Sequence, residues 1–185
     1  MIDDTKIIKI SGTHNKYMIK IANKQVKEKV KRSFMNKNEL SEEHINHFLQ
    51  LNYLQEIQTD INIIDKNRTK IFMKQELERK INNYKNQDII KDIYDEHKFI
   101  YLPDVINKLI GCSLKCYYCS CEVLILYNNV REKYQWTIDR INNVFGHNND
   151  NYVIACLNCN LTRRKQNIDK FLFTKNLNVI KSNVV

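Results

Sequence analysis

The sequence has 185 residues, 43% of them hydrophobic and 28% charged, with a formal net charge of +9 and a pI near 9.2. That composition excludes a disordered polyelectrolyte and leaves room for one ordinary domain, or a small domain with an extension. The basic excess points to a polyanionic partner such as nucleic acid; no apolar run is long enough to span a bilayer, and MIDDTKIIKI has no secretory signal pattern, so the expectation is an intracellular protein with reduced thiols.

In chain order, TKIIKI and KYMIKIA alternate as two short strands around the turn-like SGTHN. The chain then becomes helical. ELSEEHINHFLQLNYL offers Ser41 as an N-cap, acidic residues in the first turn, and Ile45, Phe48 and Leu49 at helical spacing. Its His44 and His47 stand three apart with no further ligand nearby, and read as exposed helix residues rather than a metal site. RTKIFMKQELERKINNYK places Ile71, Phe72, Leu77 and Ile81 on one face, with Glu76 four residues before Lys80. The only proline opens YLPDVINKLIG, a short helix ended by Gly111. CEVLILYNN, YQWTIDRI and YVIAC read as strands, NNVFGHNNDN as a polar loop, and NLTRRKQNIDKFLF as one helix. No repeat and no catalytic motif falls in the first hundred residues.

All six cysteines lie between 112 and 159. Cys116-Tyr-Tyr-Cys119 and Cys156-Leu-Asn-Cys159 form two C-x-x-C pairs, the pattern of a tetrahedral four-thiolate zinc site. A thioredoxin-like redox pair would need a βαβ setting that neither has. Cys112 and Cys121 are left over and read as small buried residues. Four thiolates fill the coordination sphere, so the zinc is structural and any catalysis needs a second site. Trp136, Tyr117 and Tyr118 read as packing residues.

Asn160 follows Cys159 directly, and the strand carrying Asp139 precedes the loop and the second pair. In a strand–loop–strand–helix fold, Asp139 and Asn160 would face each other. Their oxygens are hard ligands suited to Mg²⁺ or Mn²⁺. Such an ion would bind a scissile phosphate and stabilise charge on it.

The run CYYC … WTIDRINNVFGHNNDNYVIACLNCNLTRRK resembles an HNH endonuclease domain of the zinc-bound ββα-metal type, in its phage and large-virus form. The resemblance covers about residues 112 to 174. It implies that Cys116, Cys119, Cys156 and Cys159 hold structural zinc. It implies that Asp139 and Asn160 hold the catalytic divalent ion, and that Asn151 pins the loop by hydrogen bonds. Arg140 stands where many members have the histidine that serves as general base, and an arginine cannot take a proton near neutral pH. Three readings follow: His147 acts as the base, or water attacks with help from the substrate phosphate, or the domain binds nucleic acid without cutting it. Arg140 would contact the phosphate in the cutting readings. Arg163, Arg164 and Lys165, in the first turns of the helix after Asn160, would contact backbone phosphates.

The expectation is an α+β protein: a mainly helical region, 1–103, and a zinc-stapled ββα-metal domain, 104–185. The expected partner is DNA, with RNA and a homodimer left open and no membrane. The expected cofactors are structural Zn²⁺ and catalytic Mg²⁺ or Mn²⁺. The alternative is a non-catalytic, zinc-containing nucleic-acid-binding module on the same scaffold.

Overall fold

The computed structural model describes residues 29–32, 41–59 and 67–176. The chain divides into two units, 1–30 and 31–185, and all described secondary structure lies in the second. The two expected strands TKIIKI and KYMIKIA lie outside the described residues. The expected boundary between 103 and 104 falls inside the second unit, whose helices and sheet share one hydrophobic core.

The described residues form an α+β fold. They contain helices α1 (His47–Thr59), α2 (Arg68–Ile90) and α3 (Leu102–Gly111), then strands β1 (Trp136–Arg140) and β2 (Tyr152–Cys156), then helices α4 (Leu157–Arg163) and α5 (Ile168–Asn176). Ser41 heads a 3-10 turn, Glu42–Ile45, rather than α1 itself. The cap of α1 is Asn46, whose Oδ1 accepts from the Phe48 and Leu49 N–H groups at 2.9 and 3.2 Å. Asn67 does the same for α2, accepting from Thr69 N–H at 3.0 Å.

α2 buries Met73, Leu77, Ile81, Tyr84 and Asp88, one stripe at helical spacing. Ile71 falls outside that stripe and is exposed. Glu76 does not pair with Lys80. Its carboxylate takes Arg79 at 2.7 Å and Arg32 at 2.8 Å. The Lys80 amine instead turns to the Trp136 carbonyl and lies over the Trp136 ring, 4.7 Å from its centroid. Leu54 and Ile57 of α1, the α2 stripe and Val105, Ile106 and Leu109 of α3 meet Trp136, Ile138 and Ile154 of the sheet in that core. Each fully buried aliphatic or aromatic side chain contributes about 1.5–3 kcal/mol.

β1 and β2 pair antiparallel, with Trp136 opposite Cys156 and Arg140 opposite Tyr152. Two strands are too few to stand alone in water, and both edges are covered. On the β1 side the Ile138 N–H donates to the Tyr84 hydroxyl at 3.0 Å. On the β2 side the Tyr117 N–H donates to the Ile154 carbonyl at 2.9 Å.

CEVLILYNN is not a strand; it makes only isolated bridges, Lys115 to Glu122, Leu124 to Gln135 and Lys31 to Asn129. The buried Gln50 amide of α1 takes the place of a strand partner. Its oxygen accepts from Ile125 N–H at 2.8 Å and Leu126 N–H at 3.0 Å, and its Nε2 donates to the Leu126 carbonyl at 3.0 Å. The last expected helix is two helices. The chain leaves α4 at Arg164, where φ is +53°, and Asn167 caps α5 through bonds from Asp169 and Lys170 N–H at 2.9 and 3.1 Å. No helix among the described residues is long and apolar enough to cross a membrane.

Candidate functional site

The four cysteines of the two pairs converge. The sulfurs of Cys116, Cys119, Cys156 and Cys159 all lie within 4.8 Å of one another. Cys116 and Cys119 sit on a tight turn closed by Ser120 N–H to the Cys116 carbonyl at 2.9 Å and Cys116 N–H to the Cys121 carbonyl at 2.8 Å. Cys156 ends β2 and Cys159 lies in α4, with the Cys159 N–H donating to Cys156 Sγ at 3.4 Å. Four thiolates around one zinc would stand about 3.8 Å apart, given Zn–S bonds near 2.3 Å. The cluster therefore fits a metal ion such as zinc. Its electrostatics agree. The proximity of Cys156 holds the Cys116 thiol's pKa down and that of Cys156 up, while burial pushes Cys159 up. The crowded thiols do not all ionise without a cation, and a bound divalent ion would deprotonate the set. Cys116, Cys156 and Cys159 are buried, whereas Cys119 is exposed.

The two leftover cysteines differ from the expectation of buried bystanders. Both are half-buried. Cys112 donates to the Leu109 carbonyl at 3.3 Å, at the end of α3. Cys121 lies with its sulfur 3.3 Å from that of Cys119.

Asp139 stands at the end of β1, beside α4. Its Oδ2 accepts from the Tyr118 hydroxyl at 2.7 Å, and its Oδ1 accepts from Arg163 Nη1, also at 2.7 Å. The same guanidinium donates to the carbonyls of Arg140 at 2.7 Å and Ile141 at 3.0 Å. Burial pushes the Asp139 carboxyl pKa up, and the Tyr118 and Arg163 contacts only partly oppose that rise. Asn160, one helical turn before Arg163, donates to Thr137 Oγ1 at 3.1 Å and to the Ile138 carbonyl at 3.2 Å. Asp139 and Asn160 thus belong to one strand–helix seam. Each Asp139 oxygen already holds one protein donor, so a divalent ion at this seam would have to share the carboxylate with Tyr118 and Arg163.

Arg163 is a correction. It was expected on a phosphate-facing surface, yet it is buried. It follows Cys159 by four residues in α4 and so shares the buried face of that short helix. Arg164 and Lys165 are exposed. They lie beyond the C-terminus of α4 rather than in the first turns of a longer helix, and cations are favoured there.

The loop between β1 and β2 is held from within. Asn151 Nδ2 donates to the carbonyls of Asn142 at 2.9 Å and Gly146 at 3.0 Å, while its Oδ1 accepts from Asn142 N–H at 2.9 Å. Arg140 Nη1 donates to the carbonyls of Asn143 at 3.3 Å and Phe145 at 3.0 Å, so this guanidinium braces the loop. His147 is neither an exposed loop histidine nor open to an incoming water. It is 4% exposed, its Nδ1 lies 2.7 Å from Asp88 Oδ1, and its ring packs 4.5 Å from that of Tyr84. Burial pulls its pKa down, with Asp88 opposing. This pair ties the loop to α2, which corrects the expectation of a base in reach of substrate.

Three partners escaped sequence reasoning. Tyr118 was assigned to packing and also binds Asp139. Asp88 carried a signal, since it continues the apolar stripe of Leu77, Ile81 and Tyr84 with a charged residue. Gln50 carried a similar one, since it continues the stripe of Leu54 and Ile57 with a polar residue. His44 and His47 are half-buried, not exposed. His47 Nε2 reaches the Ser113 carbonyl at 3.1 Å and fastens α1 to the segment that follows α3.

No family model, curated protein or solved structure matches this chain.

Proposed function

We propose that this chain is an endonuclease of the HNH, zinc-bound ββα-metal type that hydrolyses phosphodiester bonds in DNA. The observation that carries the reading is the unit β1–β2–α4, closed at its base by the four-cysteine cluster, with Asp139 and Asn160 on one strand–helix seam. Its residues match the HNH pattern through the knuckles, the Asp strand, the pinned loop and the C-x-x-C-N run. Zinc is the ion suited to four thiolates, and its role is structural. Exposed Arg164 and Lys165, with the net charge of +9, suit a polyanionic substrate.

The cutting reading carries one requirement. A divalent ion such as Mg²⁺ or Mn²⁺ would have to share the Asp139 carboxylate with Tyr118 and Arg163, or displace one of them. Arg140 and Asn151 hold the loop beside the seam, which keeps the approach to Asp139 in fixed shape. A supercoiled-plasmid nicking assay with Mg²⁺ or Mn²⁺ tests the proposal. Nicking by the wild type that is lost in Asp139→Ala and in Asn160→Ala supports it, and nicking that survives both substitutions refutes it.

A second reading has its own observation. With Asp139 neutralised by Arg163 and His147 buried on Asp88, the same scaffold serves as a nucleic-acid-binding module that does not cut. That module would bind DNA in a salt-sensitive way and leave plasmid intact in every divalent ion.

A further inference from the structure

Cys121 is the thiol that the four-cysteine pattern does not use, and it lies against the cluster rather than away from it. Its sulfur is 3.3 Å from Cys119 Sγ, with Cys119 as the donor. Cys119 is in turn the exposed member of the four and lies 3.9 Å from Cys156 Sγ. Both thiols sit on the same short turn, in which the Cys116 N–H bonds the Cys121 carbonyl at 2.8 Å and only Ser120 separates them. Ser120 has a φ of +54°, a tight reversal that leaves Cys121 beside Cys119 at the edge of the four-sulfur group.

We propose that Cys119 and Cys121 share one coordination position of the metal site, so that the centre has five thiol donors for four places. In the exchange, the bond from Cys119 sulfur to the metal breaks and one from Cys121 sulfur forms. The Cys121 proton passes to Cys119 across their existing contact, so charge and thiolate number are conserved. The exchange requires movement only of the Cys119 and Cys121 side chains, on the turn where Cys119 is exposed and Cys121 half-buried. Cys116, Cys156 and Cys159 are the fixed ligands, buried at the base of the ββα unit. The proposal rests on the zinc reading of this cluster and is independent of whether the protein cuts DNA.

The test uses the full chain loaded with Co²⁺, whose sulfur-to-metal charge-transfer bands count thiolate ligands, alongside Zn²⁺ stoichiometry. Cys119→Ser and Cys121→Ser should each keep four-thiolate bands and one equivalent of zinc. The double variant should lose roughly a quarter of the band intensity, one thiolate in four, as Cys159→Ser should alone. Cys119→Ser with the reduced bands of the double variant overturns the proposal. A wild-type chain without such bands overturns the metal reading itself and this proposal with it. Should Cys119→Ser fold poorly, alkylation of the zinc-loaded wild type decides. Label divided between Cys119 and Cys121 supports sharing, and label confined to Cys121 refutes it.

Discussion

Asp139 and Arg163 form a buried ion pair at 2.7 Å, the carboxylate 5% and the guanidinium 1% exposed. Arg140, next to Asp139 in sequence, points to the other face of the strand and braces the loop instead. The pair joins the loop end of β1 to the C-terminal end of α4. Burying two charges costs several kcal/mol per ion before their attraction is counted. Here the hydrogen bond from Tyr118 and the two carbonyls on Arg163 add to the compensation, while Arg163 Nε stays buried without a partner.

Removing one partner should therefore hurt more than removing both. Arg163→Met leaves a buried carboxylate with Tyr118 alone and should destabilise by about 3–5 kcal/mol. Asp139→Asn combined with Arg163→Met should recover part of that loss. Urea denaturation of the zinc-loaded protein measures both, and equal losses in the single and double variants would contradict a paired-charge role.

The glycine in the Gly-His step of the loop is there for space. A Cβ at Gly146 would lie 2.5 Å from the Ile93 carbonyl oxygen and 2.8 Å from Asp88 Oδ2. The first is backbone and cannot turn aside. Gly146→Ala should destabilise by roughly 1–3 kcal/mol through undocking of the loop from α2. Amide hydrogen exchange should show faster exchange at His147, whose N–H donates to Asp88. Unchanged protection at His147 would refute the docking account.

Lys80 gives a pH signature. Burial first, then the nearby Arg32 and Arg79, lower its amine pKa from 10.5 to about 7. Between those values the unfolded chain binds the proton and the folded chain does not. Lys80 therefore makes stability rise with pH across that window, and below about pH 7 its charged amine carries the full burial penalty. Tyrosines and thiols also titrate at the upper end, so the informative quantity is the difference from Lys80→Met. The gap in unfolding free energy between variant and wild type should narrow from pH 7 to pH 9.5. A pH-independent gap would contradict a depressed amine.

Metal removal should act on the fold. The cluster joins the 116–121 turn to the β2–α4 junction, so stripping a zinc-loaded protein with a strong chelator should lower its melting temperature and loosen both segments. Cys156→Ser should reproduce the effect. A melting curve indifferent to the chelator would show that the cluster is not a staple.

What the sequence made legible was local and patterned. The two C-x-x-C pairs, the strands around Asp139 and Ile154, and the helix ended by Gly111 all follow from spacing and punctuation. The failures came from tertiary demands. CEVLILYNN has the composition of a strand, yet the Gln50 amide takes its backbone groups. NLTRRKQNIDKFLF keeps one helical phase on paper, yet Phe171 is buried, edge-on to Tyr118 with ring centroids 5.0 Å apart, and Phe173 is exposed. The Asn167 cap was the missed sign of the break. The fate of Arg163 was half-legible, since a residue four after a buried ligand cysteine on a short helix faces inward. That it would neutralise Asp139 depends on where β1 ends, which spacing alone does not give.

The most direct measurement of the central claim is divalent-ion-dependent nicking of supercoiled DNA by the zinc-loaded protein. The nuclease account predicts nicks with Mg²⁺ or Mn²⁺, none with chelator, and none from Asp139→Ala or Asn160→Ala. Salt-sensitive binding with plasmid left intact by the wild type would contradict it and establish the non-cutting module.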